Sequence, residues 1–151
     1  MELEKISTWV IVVAAALIAD GGTVLMQQRP PDKQHAGLWE FPGGKVEMGE
    51  TLVAALVREI DEELGVTLCA ADLFPVRAAS GDPAKGEPSI VLLLFGTRRW
   101  QGEPRAVEPG CQLQWTTAGA LTTLPRPPLD IPLSQALIPL LEGVAKAGRH
   151  T

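Results

Sequence analysis

The stretch that most constrains this chain covers residues 44–66, with the sequence GKVEMGETLVAALVREIDEELGV. Thr51 is a favourable helix N-cap, because its hydroxyl can accept a hydrogen bond from a free backbone N–H of the first turn. Apolar residues recur at helical spacing, and Gly65 stands where a left-handed C-terminal cap is expected. The pattern predicts a helix after Thr51 whose buried stripe consists of Val53, Val57, Ile60 and Leu64.

Three glutamates of this helix, Glu59, Glu62 and Glu63, are related as i, i+3 and i+4, so we expect their carboxylates to converge on one face. Like charges this close repel each other. Mg²⁺ or Mn²⁺ would explain the cluster, because these hard cations prefer carboxylate oxygens and keep waters and substrate phosphates as further ligands. Arg58 is placed to orient Glu59 through a forked hydrogen bond. The alternative, a solvated acidic helix face, does not explain the spacing of the whole stretch.

That spacing matches a known pattern. Five residues separate Gly44 from Glu50, seven separate Glu50 from Arg58, and the chain continues as R-E-I-x-E-E-x-G-V. The chain resembles the Nudix hydrolases, whose signature is G-x5-E-x7-R-E-U-x-E-E-x-G-U, where U is bulky and apolar. The stretch GLWEFPGGKVE, which begins at Gly37, is similar to the MutT branch, the enzymes that remove oxidised or otherwise damaged nucleoside triphosphates.

The resemblance covers nearly the whole chain and implies a fold and a reaction. The fold is the Nudix α/β/α sandwich, with a central mixed β-sheet between helices. The reaction is hydrolysis of a nucleoside triphosphate to the monophosphate and pyrophosphate, with Mg²⁺ as cofactor and Mn²⁺ as a substitute. By resemblance to MutT, Glu59 is the general base, oriented by Arg58 and Glu50.

The resemblance also implies the ligands of the metal. One is a backbone carbonyl, which the turn-forming segment Pro42-Gly43-Gly44 would present without side-chain obstruction. In the loop before the last strand, Glu108 is the expected ligand and Glu103 is the alternative. The complete implied set is Gly43, Glu59, Glu62, Glu63 and Glu108.

Three further residues are candidates for substrate binding. Arg29 matches an arginine that faces the nucleotide in MutT-like enzymes, and Lys45 would point toward the phosphates; both could instead be solvated. Asp130 follows a Pro-Pro pair in a segment that places a polar side chain against the base, and its alternative role is a helix cap. An ionised aspartate only accepts hydrogen bonds, which suits the N–H donors of a guanine edge.

Three functions follow from these patterns. The first is hydrolysis of 8-oxo-dGTP, which would clean the nucleotide pool and so contribute to DNA repair and replication fidelity. The second is hydrolysis of CTP or a modified dCTP, because the same GLWEFPGGKVE pattern occurs in such relatives. The third is a catalytically silent Nudix module that binds a damaged base, although such modules typically lose box carboxylates that this chain keeps.

Composition narrows the class of partner. A chain of 151 residues predicts a single domain, and 46% hydrophobic with 21% charged residues is typical of a soluble globular protein. A net charge of −5 disfavours a nucleic-acid polymer, although bound metal would still allow a nucleotide. Cys69 and Cys111 match no zinc spacing and are expected to be buried free thiols in a reducing cytoplasm. The oligomeric state is left open.

The apolar run of residues 9–19 is too short to span a membrane, and its β-branched content favours a buried strand over a signal peptide. The Asp20-Gly21-Gly22 turn predicts that this strand forms a hairpin with the next. Strands are predicted at residues 7–19, 23–28, within 68–79 with a break at Pro75, 90–95 and 112–116. A capped turn is predicted from Thr117 to Leu121, and a final helix at residues 134–144.

Overall fold

The structure is a computed structural model in which residues 8–148 are described. These residues form seven strands, three α-helices and two short 3-10 helices. The strands are β1 (Val10–Leu17), β2 (Val24–Gln28), β3 (Trp39–Glu40), β4 (Gly43–Lys45), β5 (Phe74–Ser80), β6 (Ile90–Thr97) and β7 (Gln112–Thr116). The helices are α1 (Leu52–Leu64), α2 (Ala118–Leu121) and α3 (Asp130–Gly148), and the 3-10 helices are Ala70–Asp72 and Pro83–Lys85.

The strands form two sheets. The four-stranded sheet has the order β4-β1-β6-β5 and is mixed, because β1 runs parallel to β6 and antiparallel to β4. The three-stranded sheet has the order β3-β2-β7 and is antiparallel throughout. Both β1 and β2 are central in their sheets, as predicted.

Strand β1 is buried on both faces, which explains its unbroken apolar sequence. Alternate residues, Ala14 and Ala16 among them, belong to the core that includes Leu133, Leu137 and Leu141 of α3. The intervening residues, such as Ala15, belong to the core that includes Leu56, Ile60 and Leu64 of α1. Each fully buried leucine stabilises the fold by about 1.5–3 kcal/mol relative to an exposed one. The predicted α/β/α sandwich with a mixed central sheet is confirmed.

The ends of α1 are also as predicted. The Thr51 hydroxyl accepts a hydrogen bond from the Ala54 N–H at 3.1 Å, and Gly65 has a φ of 66°. The predicted stripe is wrong in two of its four members, because Val53 and Val57 are only half-buried. On a helix of 3.6 residues per turn, Glu59 and Glu63 lie within the inward-facing sector, which moves the valines to its edge. The buried residues of α1 are Ala55, Leu56, Ile60 and Leu64.

The hairpin predicted between the first two strands is corrected by the structure. The turn itself is present, since the Gly22 N–H donates to the Ala19 carbonyl at 2.9 Å. The strands then separate into different sheets and share only one isolated bridge, Ile18 with Val24. The first strand begins at Val10, and the predicted start at residue 7 lies outside the described residues.

Two proline-containing segments differ from prediction. Pro75 does not break its strand, because β5 is an edge strand that accommodates the proline at a register shift. Helix α3 begins at Asp130, four residues early, because Pro132 lies in the first turn, where a missing N–H costs no helical hydrogen bond. Strand β7 and the cap at Thr117 are as predicted. No helix within residues 8–148 is long and apolar enough to cross a membrane.

Candidate active site

Strand β4 lies against the carboxylates of α1. The Gly43 N–H donates to Oε2 of Glu63 at 3.1 Å. The two glycines do not form the predicted tight turn but an extended strand paired with β1. A Cβ atom at Gly43 would overlap the backbone of Val13, and one at Gly44 would overlap the carboxyl group of Glu59. The glycines are therefore required by close approach, which brings Glu59 and Glu63 against the strand.

Arg58 connects the box carboxylates, but its forked contact differs from prediction. The fork holds Glu50, with Nε to Oε2 at 2.7 Å and Nη2 to Oε1 at 2.8 Å. Glu59 receives one hydrogen bond, from Nη1 to Oε1 at 3.0 Å, and the same Nη1 lies 3.3 Å from Oε2 of Glu62. Arg58 thus orients Glu59 while Glu50 holds the guanidinium in place, because a planar fork matches a carboxylate.

Glu63 is the most perturbed of the helix carboxyls. Burial raises its pKa to about 8, although the Gly43 N–H opposes the shift. The negative charges of Glu59, Glu40 and Glu108 raise that pKa further, so four carboxyl groups lie within electrostatic reach of one another. Hard divalent cations prefer such oxygen donors, and their charge would offset both the burial and the repulsion. The chemistry of these oxygen donors therefore suits a magnesium-type ion.

The three glutamates that were expected to converge on one face do not surround a common point. Among residues 8–148, no three His, Cys, Asp or Glu side chains are arranged to surround a metal ion. Glu62 is turned outward, with 58% of its side chain exposed, and it shares the Arg58 guanidinium with Glu59. Glu59 and Glu62 accept from the same Nη1 of Arg58, whereas Glu63 accepts from the Gly43 N–H instead. The ligand roles of Gly43, Glu59, Glu62 and Glu63 stay predictions.

The loop before β7 is hydrogen-bonded to the C-terminal end of α1. The Arg105 N–H donates to the Leu64 carbonyl at 3.0 Å, and the Val107 N–H donates to the Glu63 carbonyl at 3.1 Å. These bonds satisfy carbonyls that a helix C-terminus leaves free. Glu108 follows directly, and its charge is among those that raise the pKa of Glu63. The loop thus brings Glu108 toward the box carboxylates.

A second group of charged residues lies where substrate binding was predicted. Arg29 is half-buried, and its Nη1 lies 3.0 Å from Oε2 of Glu40. Burial raises the pKa of Glu40 despite this arginine. Asp130 is 3% exposed, and its Oδ2 has no hydrogen-bond partner among the described residues. Burial raises its pKa to about 8, Glu40 raises it further, and Arg29 and Arg126 oppose the shift.

These values correct one premise of the sequence analysis. The sequence predicts an ionised acceptor at Asp130, whereas burial raises the pKa of its carboxyl group to about 8, which favours the protonated form at neutral pH. A protonated carboxyl has one donor and an acceptor. Lys45, the third predicted binding residue, has an exposed side chain, and its carbonyl accepts from Nη2 of Arg58 at 3.2 Å.

Sequence reasoning assigned no role to Glu40, Gln27 or Arg126. The signal for Glu40 was a charged residue between Trp39 and Phe41 in an otherwise apolar segment. Gln27 lies within a predicted strand and shows no sequence signal of its own; its burial in the structure identifies it as a candidate. The two cysteines are free, as expected, but the prediction that both are buried is wrong: Cys69 is exposed and Cys111 is half-buried.

Comparison with known proteins adds independent findings. The family model described as NUDIX domain matches residues 8–137. The chain is 37% identical over 130 residues to the CTP pyrophosphohydrolase of Escherichia coli strain K12, which covers 86% of this chain and 93% of that protein. It is 42% identical over 120 residues to the putative 8-oxo-dGTP diphosphatase 2 of Mycobacterium tuberculosis, covering 80% and 82%. The crystal structure of the MutT NUDIX hydrolase from Burkholderia pseudomallei superposes with a TM-score of 0.71 at 31% identity, covering 87% and 97%.

Proposed function

The chain belongs to the Nudix hydrolase family, in its MutT-like branch, and from this premise we propose that it is a Mg²⁺-dependent nucleoside triphosphate pyrophosphohydrolase that prefers 8-oxo-dGTP. Its relatives are named as diphosphatases or pyrophosphohydrolases, so it is an enzyme and not a silent binding module. A cytoplasmic role in cleaning the nucleotide pool belongs to the same proposal. The observation that carries the base preference is the pair of carboxyl groups formed by the buried Asp130 and the half-buried Glu40.

The base preference rests on a count of donors and acceptors. Glu40 and Asp130 lie close enough for the charge of one to raise the pKa of the other. Two carboxyl groups offer more acceptors than donors, even when one of them is protonated. An oxidised guanine offers N1–H, the exocyclic amine and N7–H as donors, whereas cytosine offers a single amine. Because buried groups left unpaired cost free energy, such a pocket discriminates by complementarity, and here it favours the oxidised guanine.

CTP is the second candidate, and a specific observation favours it. The protonated carboxyl of Asp130 can donate to N3 of cytosine and accept from the N4 amine, a pairing that an ionised aspartate could not make. The relative of E. coli that is named CTP pyrophosphohydrolase matches this chain over 86% of its length. The preference between the two bases therefore depends on how many acceptors Glu40 supplies beside Asp130.

The metal would be held by the box carboxylates Glu59, Glu62 and Glu63, the Gly43 carbonyl and Glu108. When bound, a divalent cation supplies positive charge against the phosphate oxygens and acidifies an attacking water. This electrostatic support is the main demand of phosphoryl chemistry, in which positioning supplies most of the rate.

The side chains of the protein would transfer the proton, orient the general base and bind the substrate. Glu59 accepts the proton of the attacking water as general base, and the Arg58 hydrogen bond at 3.0 Å keeps its carboxylate in one orientation. Glu50 holds Arg58 by two hydrogen bonds and so orients Glu59 indirectly, through the guanidinium. Lys45 is the last residue of β4, the strand that faces Glu63, and would contact the phosphates. Arg29, paired with Glu40, would lie on the nucleoside side of the site.

A panel of pyrophosphate-release assays tests this function. Canonical, oxidised and methylated nucleoside triphosphates are compared by kcat/KM at saturating Mg²⁺, with and without a chelator. We expect 8-oxo-dGTP to have the highest kcat/KM of the substrates tested, and we expect the chelator to stop the reaction. A panel led by CTP or a modified dCTP would support the second candidate, and hydrolysis of none of these would refute both.

A further inference from the structure

The loop residue Glu108 opens a tight turn with the sequence Glu108-Pro109-Gly110-Cys111. The Cys111 N–H donates to the Glu108 carbonyl at 3.2 Å, and Gly110 has a φ of 87°. Proline in the second position and glycine with positive φ in the third are typical of a type II turn. The turn brings the first and fourth side chains together, and the Cys111 thiol donates to Oε2 of Glu108 at 3.7 Å.

A residue from a distant strand holds that thiol. Gln27 lies on β2 and donates from Nε2 to Sγ of Cys111 at 3.3 Å. Its cross-strand partners are Glu40 and Leu113, and Leu113 packs against the core of α1, so the Gln27 side chain is on the α1 side of the sheet. A continuous set of contacts therefore leads from the sheet through Cys111 to the Glu108 carboxylate.

The burial of Gln27 argues against a stabilising role for its amide. The residue is 7% exposed, and Oε1 has no hydrogen-bond partner among the described residues. Leaving a buried polar atom unpaired costs about 1–3 kcal/mol, and the one bond that Gln27 donates goes to sulfur, a weak acceptor. An apolar residue of similar size would serve the fold at least as well.

The other carboxylate oxygen of Glu108 lies near a lysine. Lys33 Nζ lies 3.9 Å from Oε1, and both side chains are about half exposed. Exposed pairs of this kind contribute about 0–1 kcal/mol and restrict a side chain little. One oxygen of the Glu108 carboxylate therefore faces the Cys111 thiol on the inner side, and the other faces Lys33 on the outer side.

We propose that Gln27 and Cys111 are positioning residues that orient Glu108 for binding of the divalent cation. The inference rests on the proposed role of Glu108 as a metal ligand. Hydrogen bonds from a second layer of residues orient metal ligands in proteins, and loss of such a partner typically costs about 10- to 100-fold in metal affinity or activity. A thiol donor is weak, so the lower end of that range applies here.

The test measures Mn²⁺ binding to the nucleotide-free protein by titration calorimetry. Cys111→Ala and Gln27→Met should each weaken Mn²⁺ binding by about tenfold. Cys111→Ser keeps a donor and should recover most of the affinity. The matched controls are Cys69→Ala and Gln114→Met, which alter an exposed cysteine and an exposed glutamine and should bind Mn²⁺ like the unaltered protein.

Thermal unfolding without metal separates positioning from a structural role. Because the Gln27 amide is unpaired at Oε1, Gln27→Met should keep or raise the Tm while it weakens Mn²⁺ binding. A lower Tm with unchanged Mn²⁺ affinity would overturn the inference.

Glu108→Gln separates failure of this inference from failure of the ligand assignment beneath it. If Glu108→Gln weakens Mn²⁺ binding but Cys111→Ala and Gln27→Met do not, the positioning role is refuted and the ligand role stands. If Glu108→Gln binds Mn²⁺ normally, Glu108 is not a ligand and the inference falls with it. In that case the pyrophosphate-release assays still test independently whether the protein hydrolyses nucleoside triphosphates.

Discussion

Arg58 and Glu50 are joined by two hydrogen bonds, Nε to Oε2 at 2.7 Å and Nη2 to Oε1 at 2.8 Å. Glu50 precedes α1, and Arg58 lies in its second turn. The fork, together with the Glu47 N–H, lowers the pKa of Glu50 to about 2, so Glu50 stays ionised at any pH where the enzyme would work. Because Glu50 occupies Nε and Nη2, Nη1 is left for Glu59 and Glu62. This arrangement makes the guanidinium the link between the loop and the proposed general base.

Arg58→Lys tests that link. A lysine cannot fork to Glu50 and reach Glu59 at the same time, so the orientation of Glu59 should be lost although the positive charge is kept. We expect kcat to fall at least about tenfold, with KM changed much less. Steady-state kinetics on the leading substrate measure this, with the exposed Arg99→Lys as control. Unchanged kcat would mean that Arg58 only stabilises the helix.

Glu59→Gln tests the role of Glu59 as the general base. Losing a positioned general base typically costs about 10²–10⁴ in rate, so kcat should fall by that factor while substrate capture is largely retained. Because Glu59 is also a proposed ligand, the assay is repeated across a Mn²⁺ titration. Full recovery at high Mn²⁺ would identify a ligand and remove Glu59 as the base.

Glu63→Gln and Glu62→Gln test the metal assignment. Both should abolish turnover and weaken Mg²⁺ binding, because a neutral amide is a poor ligand for a hard cation. The Tm without metal should hold or rise, most clearly for Glu63→Gln, since burial and neighbouring carboxylates already disfavour the charge there. Near-normal activity of either variant at saturating Mg²⁺ would contradict the assignment.

The pKa of Asp130 predicts how stability depends on pH. The carboxyl has a pKa of about 8 in the folded protein and 3.8 as its ordinary value, so the folded state holds a proton that the unfolded chain releases. The free energy of unfolding should therefore fall as pH rises from about 4 to about 8, by at most about 1.4 kcal/mol per pH unit from this group.

Asp130→Asn should reduce that slope and leave the variant more stable than the unaltered protein at pH 9. Urea unfolding of the metal-free protein at several pH values measures the effect. Because Glu63 also has a pKa raised to about 8, the comparison is made in a Glu63→Gln background. An identical pH profile with and without Asp130 would show that its carboxyl ionises normally.

Asp130→Ala tests the base pocket. If Asp130 contacts the base, kcat/KM for 8-oxo-dGTP should fall far more than for a poor substrate such as dTTP, because the favoured base loses a matched partner. Equal losses on both substrates would mean that Asp130 acts only at the start of α3.

Much of the fold followed from local patterns. Helix α1, with its Thr51 cap and Gly65 end, was predictable because helical spacing and capping act between residues a few positions apart. The same holds for β7 and the Thr117 turn. The division of β1 and β2 between two sheets was not predictable, because it depends on pairing with β6 and β7, whose residues lie 80 to 92 positions further along.

The candidate site divides in the same way. The sequence by itself determined that Glu59, Glu62 and Glu63 lie on α1 next to Arg58, because these positions follow from the spacing of the residues along one helix. Only the tertiary structure decided that the fork goes to Glu50, that Asp130 is buried with a raised pKa, and that Gln27 reaches Cys111 across 84 positions. The physical reason is that pKa values and hydrogen-bond partners depend on burial and on groups from other elements, and a linear pattern specifies neither.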